Sequence, residues 1–228
     1  MAKQKKNSNY QTEKSLAKKV EKEELKKKQH QAKVVKIVAI CAGAVLALAA
    51  LVVGILFAVG VFEYSPEPTY HATLNIEGHD AIHIELYGED APKTVKHFIE
   101  LAEAGYFDGK YLHTLTDGLL YGGSELADGG VKGIEGEFAN NGIENKIPMT
   151  KGTVCLSRGL SKNSGYGQFF ILTNKNTSLA GDYAAFGKIT DIDALNDILK
   201  SIKVDKNGNV LDETAPKILS VSLHEAHH

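Results

Sequence analysis

A mainly β domain, either a barrel or a sandwich with two helical caps, carried behind one membrane-spanning helix, is the architecture this sequence predicts. Three observations carry the prediction. Residues 37–62 form an unbroken run of twenty-six residues without a charged side chain. Beyond it, short stretches alternate apolar and polar residues with the period of two that strands require. Only two later segments space their apolar residues as helices do. The two sides of the apolar run also differ in charge. Residues 1–36 carry twelve Lys against four Glu, whereas residues 63–228 carry fourteen Lys and Arg against twenty-four Asp and Glu.

The basic segment, residues 1–36, has few large aliphatic side chains and cannot bury enough to fold alone. It reads as a topology signal with some attraction to anionic headgroups. Nucleic acid is not an expected partner, because the segment has no Arg and only Tyr10 for stacking. As a helix, residues 37–62 would reach roughly 39 Å at about 1.5 Å per residue, enough to cross a hydrocarbon core of about 30 Å with some tilt. A cleaved signal peptide has a shorter apolar region behind a short leader. The long leader here favours a retained anchor, with Ala58-Val59-Gly60 as the alternative cleavage site. The excess of Lys before the span puts the N-terminus in the cytoplasm and residues 63–228 outside the cell membrane. Cys41 reads as a small packing residue, and Cys155 is then the only outer cysteine, so the outer domain has no internal disulfide.

Residues 63–70, with Pro66 and Pro68, read as an extended linker to a domain over 71–224 and a tail over 225–228. Leu74 and Ile76, then Ile82, Ile84 and Leu86, alternate around the turn Gly78-His79-Asp80 and predict an antiparallel pair. Asp90 is an N-cap candidate ahead of Pro92, and Val95, Phe98, Ile99 and Leu101 follow at helical spacing until Gly105. Short strands and Gly-rich loops continue to Asp191, which can cap a second helix through Leu195 and Ile198. Ile218 to Leu223 should close the sheet.

Gly165-Tyr-Gly-Gln-Phe-Phe-Ile171 and Gly118-Leu-Leu-Tyr-Gly-Gly123 describe two glycine-permitted bends, an aromatic wall and one amide among apolar neighbours. Such a groove suits an extended, proline-containing peptide. The amide of Gln168, flanked by Gly167 and Phe169, needs a partner wherever it lies. Three other signals carry less. Asp205-Lys-Asn-Gly-Asn has its glycine at the fourth place rather than the sixth, so it reads as a tight turn, not a calcium loop. His224, His227 and His228 read as a terminal tail, and Glu135, Glu137 and Glu144 as a solvated loop. No metal site is expected.

Several motifs in order resemble the cyclophilins. Tyr106-Phe-Asp-Gly109 leading to His113, then Gly118–Gly123, is similar to the first signature of that family. Gly136-Glu-Phe138, Lys151-Gly-Thr153 and Leu156-Ser-Arg158 look like the middle of bacterial members. Gln168–Ile171 and Leu179-Ala-Gly-Asp-Tyr-Ala-Ala-Phe-Gly-Lys188 complete the pattern over about residues 71–224. The resemblance implies a closed eight-stranded antiparallel β-barrel capped by two α-helices, and peptidyl-prolyl cis-trans isomerase activity. That task lowers a rotation barrier of about 18–20 kcal/mol and breaks no bond, so it needs no cofactor. The site must hold the proline ring in an apolar pocket and offer a hydrogen bond to a nitrogen that has lost amide resonance.

By motif, Phe170 and Leu179 would line the proline pocket beside Leu119 and Leu120, and Gln168 would bind substrate backbone. Ser157, Arg158, Tyr121 and Tyr183 would border the groove, and His113 opens the first motif. The sequence departs from the family at its donor. Thr114 stands where an Arg is usual, Tyr121 where a Gln is usual after a loop one residue short, and Ser178 at the place of a Trp. Met149 and Lys162 depart as well. Thr114 cannot supply a cationic fork, and loss of one preorganised donor costs roughly 10²–10³ in rate. Weak isomerase activity on secreted or surface polypeptides is the expectation, with a non-catalytic proline-peptide binding module as the alternative. Arg158, the only arginine, is the one guanidinium that could compensate.

Overall fold

The computed structural model describes residues 64–124 and 131–226, together with 26–52 apart from 29, 32, 37 and 39. The basic segment up to residue 25, the end of the expected span and residues 227–228 lie outside the described residues. The chain divides into two units, Met1–Glu63 and Tyr64–His228. In the first, helix α1 (Lys26–Val52) has a mean hydropathy of 2.6 over its most apolar window, long and apolar enough to cross a membrane. The described helix includes residues up to eleven positions before the expected span, within the lysine-rich segment.

The second unit is mainly β. Eight strands form one antiparallel sheet in the order β3-β4-β6-β5-β7-β2-β1-β8. They are β1 (Tyr70–Ile76), β2 (Ile82–Leu86), β3 (Tyr111–Thr116), β4 (Leu119–Gly123), β5 (Thr153–Arg158), β6 (Gly165–Leu172), β7 (Ala184–Ile189) and β8 (Ile218–Glu225). The edge strands β3 and β8 meet at a single bridge, Tyr111 to Lys217, flanked by the hydrogen bond from Ile218 N to Lys110 O at 2.7 Å. The sheet is therefore curled, and its edges are also joined there by the hydrogen bonds from Gly109 N to Ile218 O at 2.8 Å and from Leu112 N to Pro216 O at 2.9 Å. The fully laddered closure implied by the resemblance is not present among the described residues.

Local chemistry explains the strand pairs. The β1–β2 hairpin turns at Gly78, whose φ of 73° is open to glycine. The β3–β4 turn is Asp117-Gly118 with φ of 51° and 77°, the two-residue turn whose twist matches paired strands. Helices α2 (Pro92–Glu103) and α3 (Ile192–Ser201) lend Val95, Phe98, Leu195 and Ile198 to the core inside the sheet. Phe98 lies 5.1 Å from Phe107 and 5.2 Å from Phe186 between ring centroids, with Phe169 edge-on at 6.4 Å. Such tilted and edge contacts are what aromatic quadrupoles favour.

Several expectations need correction. Asp191 does cap α3, accepting from Asp193 N at 3.0 Å and Ala194 N at 3.1 Å. Asp90 does not cap α2; its carboxylate accepts from the Tyr64 hydroxyl at 2.9 Å. The α2 N-terminus is instead served by Glu137, which takes Lys93 N at 3.0 Å, Thr94 N at 2.8 Å and Thr94 Oγ1 at 2.7 Å. Glu137 is 2% exposed, so it is not a solvated loop residue. A buried anion is stable there because orphaned N–H groups and the helix dipole converge on it. His224 belongs to β8, opposite His71 of β1, and not to a tail. Asp205 closes the expected turn, accepting from Asn207 N at 2.8 Å and Asn209 N at 2.9 Å.

Candidate active site

The sheet has a second apolar cluster, on the face turned away from the core. It contains Leu119, Met149, Cys155, Phe170, Leu172 and Ala185, with Tyr121, Leu179 and Tyr183 packed against it. Strand alternation produces the separation: in β6, Phe169 and Ile171 point inward, whereas Phe170 and Leu172 point to this outer face. Partners in register share a face, and here they make a row. Thr114 of β3 pairs with Tyr121 of β4, Tyr121 with Phe170 of β6, and Phe170 with Cys155 of β5.

Phe170 is the floor of this row and is 0% exposed. The Tyr121 ring leans over it at 5.5 Å between centroids, and Tyr183 meets it edge-on at 5.1 Å. Gln168 is buried beside them, two residues along β6, and its Oε1 accepts from Ser157 Oγ at 2.8 Å. Gln168 faces Gly123, whose φ of 87° and 2.5 Å clearance from Gly167 O leave no room for a side chain. Burial is the first cause that raises the Tyr121 phenol above its ordinary pKa of 10.0, with Tyr183 and Asp117 adding repulsion. The hydroxyl therefore stays protonated at neutral pH.

The other predicted residues fall into three groups. Leu119 and Leu179 lie in the outer cluster with Phe170. Leu120 does not; it is wholly buried in the core, so its expected place in the proline pocket is corrected. Adjacent strand residues face opposite sides, and only one of Leu119 and Leu120 can reach the slot. His113 sits in a bulge of β3, its Nδ1 2.8 Å from Thr114 Oγ1 and its carbonyl accepting from Val210 N at 2.8 Å. It holds Thr114 and the β3 backbone in place.

Arg158 is the last residue of β5. Its Nε donates to Asp182 O at 2.8 Å and its Nη1 to Gly159 O at 3.0 Å. The guanidinium packs 4.9 Å from the Tyr183 ring centre and 5.2 Å from that of Phe138. It is committed to backbone and to positioning Tyr183, which argues against its replacing a donor at Thr114. Sequence reasoning missed Cys155, Ile147 and Ala185 as members of the outer cluster. The period-two pattern of Val154, Cys155 and Leu156 was the available signal for Cys155.

The comparisons agree with this geometry. The family model "cyclophilin type peptidyl-prolyl cis-trans isomerase" matches residues 71–223. The chain belongs to the cyclophilin-type peptidyl-prolyl cis-trans isomerase family. It is 34% identical over 150 residues to a peptidyl-prolyl cis-trans isomerase of Arabidopsis thaliana, covering 64% of this chain and 29% of that protein. It therefore spans less than a third of that relative. Peptidyl-prolyl cis-trans isomerase B of Escherichia coli is 26% identical over 147 residues, 61% of this chain and 88% of that one. Among solved structures, a cyclophilin-type isomerase of Cryptosporidium parvum, determined in the presence of the dipeptide Ala-Pro, shares the fold. Its TM-score is 0.59 at 22% identity, covering 68% of this chain and 99% of that one.

Proposed function

We propose that the unit Tyr64–His228 is a peptidyl-prolyl cis-trans isomerase of reduced rate, acting on X-Pro bonds of extended chains on the outer side of a membrane. The observation that carries this reading is the row Thr114–Tyr121–Phe170, an aromatic floor with polar groups at one end. The proline ring would rest on Phe170 between Leu119 and Leu179. Gln168, its carbonyl end engaged by Ser157, would present its amide N–H₂ to a substrate carbonyl. Rotation then exchanges an amide for a twisted bond whose nitrogen accepts a hydrogen bond, and only interactions stronger in that state accelerate it. With Thr114 in place of a cation, one such interaction is lost. Helix α1 would anchor the unit, and secreted or surface polypeptides would be the clients.

A binding module without useful catalysis is the second reading. Complete coverage of Phe170 by Tyr121 and Tyr183 favours it, because a proline must displace a ring to enter. Exchange NMR on an Ala-Pro peptide with catalytic amounts of the full chain in detergent separates the two. Faster cis-trans exchange supports the isomerase. Chemical-shift changes without faster exchange select the binding module, and neither effect removes both.

A further inference from the structure

The departures at positions 114 and 121 lie side by side, and together they suggest where the missing hydrogen bond comes from. Tyr121 is in direct register with Thr114 on one side and Phe170 on the other. It thus stands between the strand that lost its cation and the floor on which a proline would rest. Adjacent strands are about 4.8 Å apart, so a phenol on the middle strand reaches the edge of a ring seated on Phe170.

Two other candidate donors are engaged. Thr114 Oγ1 is shared with His113 Nδ1 at 2.8 Å, and two guanidinium nitrogens of Arg158 serve the carbonyls of Asp182 and Gly159. Among the described residues, no hydrogen bond holds the Tyr121 hydroxyl; what holds the side chain is its ring contact with Phe170.

We propose that Tyr121 is a catalytic residue of this slot, its phenol O–H donating to the prolyl nitrogen as that nitrogen leaves amide conjugation. The inference rests on the isomerase reading above and deepens it. On binding, the proline slides onto Phe170 and moves the Tyr121 ring toward Thr114, whose small side chain leaves space on that side. The hydroxyl then points back across the proline ring. In the planar amide the nitrogen lone pair is delocalised and accepts nothing, so the bond forms only as the transition state is approached. One neutral donor does not match a cationic fork, which keeps the rate below that of a site with Arg.

The test is Tyr121→Phe in the full chain, which keeps the ring on Phe170 and removes only the hydroxyl. Exchange NMR gives kcat, and titration of the same Ala-Pro peptide gives Kd. The expected result is a fall in kcat of about tenfold, the worth of one well-placed hydrogen bond, with Kd changed by less than about twofold. Tyr183→Phe, the rival phenol, is the comparison: its fall in kcat is expected to be smaller than that of Tyr121→Phe. The parent profile is expected to stay flat between about pH 7 and pH 9, because the donor does not ionise there. A Tyr121→Phe rate within about twofold of the parent overturns the assignment, as does parallel loss of binding and rate, or a larger loss in Tyr183→Phe. Absence of catalysis in the parent overturns the isomerase reading itself, and this inference with it.

Discussion

Glu137→Gln is the substitution whose consequence follows most directly from the structure. Glu137 reaches α2 from a loop more than forty residues further along the chain, and its two oxygens accept from Lys93 N, Thr94 N and Thr94 Oγ1. Gln is nearly isosteric but has a single acceptor oxygen, and its N–H₂ must face a donor at the other site. One backbone N–H near the start of α2 is then left without a partner in a buried place. Hydrogen bonds to a charged group are worth about 1.5–3 kcal/mol each, and the favourable pairing of an anion with the helix dipole is lost as well. Partial retention of one bond sets the expected destabilisation at about 2–4 kcal/mol. For a unit of this size that is a fall in Tm of roughly 5–15 °C. The chain has nine Tyr and no Trp, so near-ultraviolet circular dichroism of the tyrosine band is the suitable probe. A shift below about 1 °C would refute the view that Glu137 is the N-terminal cap of α2.

Three further outcomes are expected. Thr114→Arg, which puts a guanidinium beside Tyr121 at the slot, should raise kcat/KM on an Ala-Pro peptide by about tenfold or more, with roughly 10²–10³ as the ceiling; an unchanged rate would mean that donor loss does not limit this site. Gly123→Ala forces a side chain into positive φ and against Gly167 O at 2.5 Å, so it should destabilise the unit by more than about 1 kcal/mol, measured by urea denaturation; parental stability would contradict the close approach. Cys155 is wholly buried and burial holds its thiol well above the ordinary cysteine range, so N-ethylmaleimide should modify it only after unfolding; rapid labelling at Cys155 in the native chain, distinguished from the exposed Cys41 by peptide mass mapping, would contradict that burial.

Local signals were legible and long-range ones were not. The alternation at Leu74, Ile76, Ile82, Ile84 and Leu86 specifies a hairpin because strand side chains repeat every second residue. Asp191 could be read as a cap because its partners lie two and three residues away. Asp90 looked equally suited, yet the cap of α2 comes from Glu137, which no local pattern announces. Leu119 and Leu120 show the same limit at the site. Both are apolar neighbours beside the Asp117-Gly118 turn, and a shift of one residue exchanges the faces of a strand. Register with Leu172 and Ile171 decides between them, and register is a property of the sheet. The closure of Tyr121 and Tyr183 over Phe170 likewise depends on side chains from β4 and from the turn before β7, which meet only in the folded unit. Motif order identified the family; ring packing determines how open its slot is.

The most direct test is to locate a proline on the protein. Intermolecular NOEs between an Ala-Pro peptide and the full chain, with phenylalanine rings selectively labelled, should connect the proline ring protons to Phe170 and should vanish for Ala-Ala. Contacts that survive in Phe170→Ala, or that map to another face of the sheet, would contradict the proposal that this outer aromatic row is the proline slot.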